Sequence, residues 1–329
     1  MSFVIYLDHN ATTPILPEVL EVMMPYLTTE WGNPSSSYKF GSKLKSVVET
    51  AREQVAELIG AHPLDVIFTS CGTESNNTAI AAALKANPAM RHIVTSQVEH
   101  SSVLNYCMAL ERGGLCSGGF TPPFAAVDVA RASRPPSRER PAPAARGQDA
   151  HATAGGTPAL QERGYRVTYL PVDREGLLNL ADLEAAITDE TGVVSLMWAN
   201  NETGVLFPVE RIAEICHCDA VQAAGKVEID VRKIPADYLS LTGHKFHAPK
   251  GIGALYVRSK SPFSPLVYGG HRERNRRGGT ESGPLVVGMG KGQLREATPL
   301  NNRLTHKRKR GRARRIPGMT QVSKGVPSV

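Results

Sequence analysis

The sequence predicts an α/β fold in which a mostly parallel sheet is wrapped by helices. Short apolar runs with the composition of buried strands alternate with longer segments of helical periodicity, which is typical of parallel sheets. Several of the predicted strands end in turns rich in Gly, Ser, Thr and Asn. Open α/β sheets bind their ligands at the carboxyl ends of the strands, so we expect the functional residues in these turns.

The spacing of hydrophobic residues and the positions of turn residues give the predicted bounds of the individual helices and strands. The second helix, for example, is predicted to stop at Gly60. Helices are predicted at 18–27, 41–59, 77–86, 101–110, 180–187 and 209–216. Strands, which are short runs rich in β-branched and aromatic residues, are predicted at 66–69, 92–95, 167–170, 193–198, 238–241 and 253–257.

Length and composition indicate one large α/β domain plus a smaller piece. The chain has 329 residues, 41% of them hydrophobic, and no apolar run approaches the ~20 residues that span a bilayer. The N-terminus carries no basic region with a cleavage site, so we expect neither a signal peptide nor a membrane partner. Five cysteines in no framework spacing suit a reducing cytosol, and we predict a cytoplasmic protein.

Lys245 is the first candidate functional residue. It ends the sequence Thr-Gly-His-Lys, which follows the predicted strand 238–241 and so lies at a strand's carboxyl end. A lysine that forms an imine needs a lowered pKa and a fixed position. Most lysines are solvated surface charges, and this one gains significance from four other segments.

A candidate anion site follows the strand 66–69. The sequence Ser-Cys-Gly-Thr-Glu-Ser over residues 70–75 joins that strand to a predicted helix. Free backbone N–H groups around Gly72 and Thr73, together with neighbouring hydroxyls, would point at a phosphate. An ordinary capped helix is the alternative.

Two further strand ends carry side chains suited to a flat ligand. His100, after the strand 92–95, could stack on a ring or move a proton. Asn201, after the strand 193–198, offers an amide to a phenolate or a carboxylate. A structural histidine and a plain turn are the alternatives.

The last segment pairs Asp219 with Gln222. An aspartate near a pyridine nitrogen keeps that nitrogen protonated, which makes the ring an electron sink. Gln222 could hydrogen-bond the oxygen of the same ring. An aspartate three residues before a glutamine is also common at helix starts.

Together, in this order and spacing, the five segments resemble the NifS-type cysteine desulfurases. These belong to the class V aminotransferase family and to the fold-type I pyridoxal-phosphate enzymes. Residues 6–14, 32–36 and 269–281 match the same family. The resemblance implies the fold-type I PLP-transferase fold and a homodimer that completes each site.

The resemblance also implies a role for each candidate residue. Lys245 would bind pyridoxal 5′-phosphate covalently as an imine, and His100 would stack on its ring. Asn201 would help to orient the substrate carboxylate. The other cofactor-binding residues would be Gly72, Thr73, Asp219, Gln222, Thr242 and His244, with Thr280 reaching the phosphate in the partner subunit.

The family reaction converts L-cysteine to L-alanine. A cysteine on a mobile loop attacks the substrate sulfur and becomes a persulfide, which supplies iron–sulfur cluster assembly. L-cysteine is therefore the implied substrate and an iron–sulfur scaffold protein the implied sulfur acceptor. The match to NifS-type chains adds a link to nitrogenase and nitrogen fixation.

The chain departs from the family pattern in its C-terminal third. The family places there its nucleophilic cysteine and the arginine that binds the substrate carboxylate. No cysteine follows Cys218, and none of the five stands in a matching context. We therefore expect a small C-terminal domain that is largely missing, no nucleophilic cysteine and a failure of persulfide formation.

Two segments have the composition of disorder. Residues 113–159 are rich in Gly, Ala, Pro and Arg, and are predicted to be a disordered insertion in a cofactor-binding domain at 1–290. Residues 291–329 hold 11 of the 38 lysines and arginines and are predicted to be a disordered basic tail. A protein-binding loop is the alternative for the insertion, and nucleic-acid binding through phosphates is the alternative for the tail.

A short deletion is predicted near residues 217–218. It would remove the strand that presents the aspartate in the family, so that Asp219 would follow the helix 209–216 with almost no connector. The sequence Cys-His-Cys-Asp created there rarely supplies four metal ligands, and we predict no metal site.

Three alternatives to a cysteine desulfurase stay open. A selenocysteine lyase or another class V enzyme would share the same cofactor residues. A non-catalytic remnant would keep the fold without turnover. A nucleic-acid-binding protein would act through the basic tail.

Overall fold

A computed structural model describes residues 5–113, 164–212 and 215–293. The predicted insertion at 113–159 lies outside these ranges apart from its first residue, and the predicted tail at 291–329 lies outside them apart from its first three. The described helices are α1 (Pro17–Thr28), α2 (Lys39–Ser42), α3 (Leu44–Leu58), α4 (Gly72–Ala86), α5 (Ser101–Glu111), α6 (Leu180–Ala186) and α7 (Gly283–Gln293). The described strands are β1 (Val66–Thr69), β2 (His92–Ser96), β3 (Arg166–Leu170), β4 (Thr191–Met197), β5 (Ile215–Asp219), β6 (Ala236–Thr242) and β7 (Gly253–Val257).

These strands form one sheet in the order β1-β7-β6-β5-β4-β2-β3. The pairs from β6 to β3 are parallel, whereas β7 is antiparallel to both β1 and β6. Because β7 runs antiparallel to both of its neighbours, β1 points in the same direction as β6 and the other parallel strands. The predicted mostly parallel sheet is confirmed. The carboxyl ends of β1, β2, β4, β5 and β6 meet along one side, which we call the carboxyl edge.

Helices cover both faces of the sheet. One buried cluster joins residues of α3, α6 and α7 to one face, and a second joins residues of α4 and α5 to the other. Along β6, Tyr238 belongs to the cluster on the α4 side, whereas Leu239 and Leu241 belong to the opposite cluster. Side chains of a strand alternate between faces, so strands that are covered on both sides are mostly apolar.

The segment before Asp219 corrects the prediction of a missing strand. Residues 209–216 do not form the predicted helix: Val209–Arg211 is one 3-10 turn, and Ile215–Asp219 is β5. β5 is paired in parallel with β4 on one side and with β6 on the other. Pairing on both sides outweighs the weak helical preference of so short a segment. Asp219 therefore ends a strand and reaches the carboxyl edge.

A buried ion pair fixes the segment before α7 to the sheet. Arg52 on α3 and Glu273 are 1% and 4% exposed, and their closest nitrogen and oxygen atoms are 2.6 Å apart. Arg52 also donates to the carbonyl of Val66 at 3.0 Å, and the Phe68 N–H donates to Glu273 at 3.1 Å. Both charged groups are thus hydrogen-bonded on several sides, which is the condition for tolerating buried charge.

The described residues on either side of 114–163 lie close together. The N–H of Tyr165 donates to the carbonyl of Leu110 at 3.1 Å, across the segment. The sheet and α5 therefore meet at this point much as they would if the chain ran straight on.

None of the helices in the described ranges combines the length and apolar character that a membrane crossing requires.

Candidate cofactor site

A cavity of about 300 Å³ opens at the carboxyl edge of the sheet. Small-molecule sites in proteins start at about this volume. Its lining comes from the ends of β1, β4, β5 and β6 and from the first turns of α4 and α5. The lining residues are Ala11, Cys71, Gly72, Thr73, Asn76, His100, Ser102, Met197, Ala199, Asn201, Asp219, Val221, Gln222, Thr242, His244 and Lys245.

Nine of the ten site residues predicted from sequence line this cavity. They are Gly72, Thr73, His100, Asn201, Asp219, Gln222, Thr242, His244 and Lys245. Thr280 lines a separate cavity of about 130 Å³, with Arg272 and Arg277. The predicted role of Thr280 concerns a partner subunit, so its place outside the first cavity leaves that role a prediction.

The first turn of α4 forms one wall. Its leading N–H groups have no intrahelical acceptor, and a helix N-terminus favours an anion. A Cβ atom on Gly72 would lie 2.8 Å from Cγ2 of Val221, so only glycine lets the turn pack this close to the segment after β5. Thr242 lies near the same turn through its Cβ and Cγ2 atoms, and its hydroxyl donates to the carbonyl of Ile252 at 3.2 Å.

Asp219 forms the buried end of the cavity. The residue is 5% exposed, and its carboxylate accepts from the N–H of Val221 at 3.0 Å and from the amide of Asn76 at 2.7 Å. Burial raises the pKa of Asp219 above its usual value, while these hydrogen bonds act in the opposite direction. Both donors are neutral groups, so the site still offers a cation a favourable place.

A chain of hydrogen bonds links Asp219 to His100. Asn76 also donates to the hydroxyl of Ser102 at 2.8 Å, and that hydroxyl lies 2.8 Å from Nδ1 of His100. The Ser102 N–H donates to the same Nδ1 at 3.1 Å. Because Nδ1 accepts, the neutral His100 ring carries its proton on Nε2. Sequence reasoning missed Asn76 and Ser102, although Asn76 lies one helical turn after Gly72.

The N-terminal strap, residues 10–13, closes the cavity over Lys245. The Lys245 Nζ donates to the carbonyls of Asn10 and Ala11, at 3.0 Å for the second. Gln222 donates to the Asn10 carbonyl at 2.9 Å. Burial and the nearby Lys226 lower the pKa of Lys245, which increases the fraction of neutral amine.

His244 joins the strap to the end of β6. Its carbonyl accepts from the N–H of Thr13 at 2.9 Å, and its Nδ1 lies 3.2 Å from the hydroxyl of Thr12. Burial, together with the charges of Lys245 and Lys250, lowers the pKa of His244 to about 4. His244 is therefore neutral at physiological pH beside a cavity wall rich in positive charge.

Glu99, the residue before His100, is a buried carboxyl group. One carboxyl oxygen accepts from the Ser96 hydroxyl at 2.7 Å and from the Met197 N–H at 3.0 Å. Among the described residues, the other oxygen has no hydrogen-bond partner. Burial raises the pKa of Glu99 to about 8, so the group is protonated at neutral pH.

Replacing Glu99 with glutamine should stabilise the protein at alkaline pH and change little at pH 5. The folded pKa of about 8 exceeds the ordinary 4.5, so the folded state keeps a proton that the unfolded chain releases. This contribution is complete below the unfolded pKa and is lost as the pH rises towards 8. Glutamine does not titrate, so the difference in unfolding free energy should grow by roughly 2 kcal/mol between pH 6 and pH 8.

Urea unfolding of both proteins at the two pH values measures this difference. Glu57→Gln, which changes an exposed glutamate on α3, is the control and should show no such trend. A Glu99→Gln difference that stays constant with pH would mean that Glu99 is ionised in the folded protein.

The described cysteines differ in their access to the cavity. Cys71 is half-buried and lines it, whereas Cys107 and Cys218 are buried in the core and Cys216 lies at the opposite edge of the sheet. Burial raises the pKa of Cys107 and of Cys216 to about 12, so neither thiol ionises readily. Cys116 lies outside the described residues. Within the described ranges, no group of three or more His, Cys, Asp or Glu side chains could hold a metal ion.

Comparison with known families gives a match over most of the chain. The family described as Aminotransferase class-V matches residues 5–115 and 147–291. The residues between these two matched segments fall within the predicted insertion. A cysteine desulfurase of Trichormus azollae is 46% identical over 295 residues, which cover 88% of this chain and 61% of the relative. The chain thus spans about three fifths of the length of the curated relatives it matches.

Solved structures agree with the sequence comparison. A protein described as NifS-like has a TM-score of 0.74 at 31% identity, covering 93% of this chain and 73% of that one. A second, described as SspA in complex with cysteine, has a TM-score of 0.72 at 33% identity, with coverage of 93% and 76%.

Proposed function

The chain belongs to the class V aminotransferase family, and we propose that it binds pyridoxal 5′-phosphate in the cavity at the carboxyl edge and takes L-cysteine as its substrate. The family reaction would be that of a NifS-type cysteine desulfurase. The observation that carries the proposal is the placement of Lys245 and Asp219 in one cavity of about 300 Å³. Both lie at strand ends, where a rigid sheet fixes their positions.

The donor set of the cavity fits this cofactor. The buried Asp219 carboxylate is hydrogen-bonded by neutral amides, so a protonated ring nitrogen would bring a cation directly against it. The same cavity offers the N-terminus of α4, beginning at Gly72 and Thr73, to a phosphate. When bound, pyridoxal phosphate withdraws electrons from the Cα of the amino acid through its protonated ring.

The chain's own residues would then hold protons and orient groups. Asp219 would keep the ring nitrogen protonated, because its carboxylate is fixed by two hydrogen bonds. His100 would present Nε2–H to the ligand, because its Nδ1 is occupied by Ser102. Gln222 would contact the ring oxygen, and Asn201 would contact the substrate carboxylate.

Lys245 would hold the cofactor covalently and then act on the substrate's Cα proton. Its lowered pKa supports both roles, because a neutral amine is needed to attack a carbonyl and to accept a proton. To react with a ligand in the cavity, Nζ must give up its hydrogen bonds to the carbonyls of Asn10 and Ala11. Thr242 and His244 would contact the phosphate from the same strand end.

Sulfur transfer is the step for which the described residues offer least. It requires a thiolate that attacks the sulfur of L-cysteine, leaving L-alanine and a persulfide. Among the described cysteines, Cys71 alone lines the cavity, and its Sγ accepts a hydrogen bond from Ser70 at 3.7 Å. We expect Cys71 to pack beside the phosphate site, and therefore expect persulfide formation to fail.

The direct test is a spectroscopic titration of the purified full chain with pyridoxal phosphate, followed by L-cysteine. We expect a new absorbance band on cofactor binding, a change of that band with L-cysteine, and little L-alanine or sulfide. A folded protein with no cofactor band would contradict the proposed function. Rapid sulfide release that is lost in Cys71→Ser would keep the function and overturn the expected impairment.

The remaining features of the family are part of the same proposal. A homodimer would let Thr280 of one subunit reach the phosphate of the other. An iron–sulfur scaffold protein would take the sulfur, in a cytoplasmic setting. The relative's description as a cysteine desulfurase and the cysteine complex of the SspA structure support L-cysteine as the substrate.

A further inference from the structure

A histidine bridges three strands directly beneath the proposed site. His217 on β5 lies with its Nδ1 2.9 Å from the hydroxyl of Ser195 on β4 and its Nε2 2.9 Å from the hydroxyl of Ser240 on β6. All three residues are 0% exposed. The ring therefore ties the central strand to both neighbours with side-chain hydrogen bonds that add to those of the backbone.

The position of this bridge determines where Asp219 points. His217 and Asp219 are two residues apart on one strand, so both side chains lie on the same face of the sheet. That face carries α4, whose Asn76 bonds Asp219. A shift of β5 by one residue would turn Asp219 to the opposite face and away from the cavity.

We propose that His217 is a positioning residue: by bonding Ser195 and Ser240 it fixes the register of β5 and so holds the Asp219 carboxylate in the cofactor cavity. This inference rests on the proposed function, because Asp219 matters only if the cavity takes a ligand with a ring nitrogen. β5 has only five residues, and few side chains are available to specify its register.

The chemistry of imidazole suits this task. A neutral ring has one donor and one acceptor, so it satisfies two buried hydroxyls at once, one accepting and one donating. Burial lowers the pKa of His217 to about 3, so the ring stays neutral throughout the physiological range. The neutral ring can therefore bond both hydroxyls over this pH range, and it leaves neither serine hydroxyl without a partner.

The same sheet contains a matched control. His92 on β2 is 1% exposed, and its ring nitrogens lie 2.8 Å from the hydroxyls of Thr168 on β3 and of Thr191 on β4. It thus joins three strands in the same way. However, it begins its strand at the edge opposite the cavity, and it is not among the residues that line the site.

The experiment compares His217→Leu with His92→Leu in the full chain. Both variants should lose stability in urea unfolding, since each removes an imidazole that bonds two hydroxyls. Only His217→Leu should weaken pyridoxal phosphate binding at least tenfold and alter the absorbance band of the bound cofactor. His217→Gln, which keeps a donor and an acceptor, should recover part of the affinity. Equal affinities of the two Leu variants would overturn the proposal.

If His217→Leu does not fold, milder variants test whether the His217 bridge supports cofactor binding. Ser195→Ala and Ser240→Ala each remove one hydrogen bond of the bridge and should each weaken cofactor binding severalfold. Unchanged affinity in both would contradict the proposal.

A second readout needs no cofactor. Amide hydrogen exchange over residues 215–219 should be faster in His217→Leu than in His92→Leu when both are compared with the wild type. If the wild-type protein binds no pyridoxal phosphate, the proposed function fails, and this measurement still decides whether His217 fixes the strand. Equal exchange over β5 in the two variants would show that it does not.

Discussion

Replacing Lys245 with alanine is expected to abolish the covalent attachment of pyridoxal phosphate. The absorbance band of the bound cofactor should disappear, and any remaining non-covalent affinity should fall about 100-fold, which is roughly 3 kcal/mol. Covalent attachment needs an amine with a lowered pKa in the cavity, and Lys245 has both properties. Absorbance titration of the two proteins measures the effect.

Lys226→Ala is the matched control for this prediction. Lys226 is an exposed lysine close to the cavity, and its Nζ donates to Gln222 at 2.8 Å. Its charge also contributes to the lowered pKa of Lys245. We expect the control to keep the cofactor band, with Lys245 titrating at a slightly higher pH. If the band is lost in Lys226→Ala and kept in Lys245→Ala, the cofactor is attached to Lys226, which would contradict the prediction.

Replacing Arg52 with methionine is expected to destabilise the fold by about 3–5 kcal/mol, because it leaves the buried carboxylate of Glu273 without this ion-pair partner. Glu273 is 4% exposed, and Arg52 is its ion-pair partner among the described residues. A loss of this size lowers the unfolding midpoint by about 10 °C in a domain of this length. Thermal unfolding of the full chain measures it.

Two controls separate buried charge from lost packing in this prediction. The double variant Arg52→Met with Glu273→Leu removes both charges and should recover much of the lost stability. Arg166→Ala breaks the exposed pair with Glu190 on the same protein and should cost less than about 1 kcal/mol. If the double variant is no more stable than Arg52→Met alone, the uncompensated charge is not the cause.

Most of the strands and helices could be predicted because they depend on local patterns, whereas β5 and α7 were not predicted. The strands 66–69 and 253–257 have the predicted bounds, and most other elements differ by one or two residues. α4 is an exception, since it begins at Gly72, five residues before the predicted start. Its first turn packs against Val221, and that contact between distant parts of the chain is not visible in local sequence.

β5 shows why local sequence fails where tertiary pairing decides. The predicted helix at 209–216 rests on a few periodic residues, whereas hydrogen bonds to β4 and β6 require a strand. The segment also lacks the apolar pattern by which a buried strand is recognised, because it contains His217 and Asp219. The His217 side chain bonds Ser195 and Ser240, and the Asp219 side chain bonds Asn76. The partners of these polar side chains lie on other strands and on α4. They are distant in sequence, so a short stretch of sequence around β5 does not reveal them.

The candidate site was predictable in part for the same reason. Residues that follow strands, such as Thr73, His100 and Lys245, could be predicted to share one cavity because strand ends are recognisable and meet at one edge. Asn76, Ser102 and the N-terminal strap were missed. Each acts through a hydrogen bond to another element, as when Asn76 connects Asp219 to Ser102.

The measurement that tests the central claim most directly is the identification of the lysine that carries the cofactor. The full chain is saturated with pyridoxal phosphate, the linkage is made permanent with borohydride, and the modified peptide is found by mass spectrometry. The account predicts one dominant label, on Lys245. A label on Lys226 or another lysine, or no label on a folded protein, would contradict it.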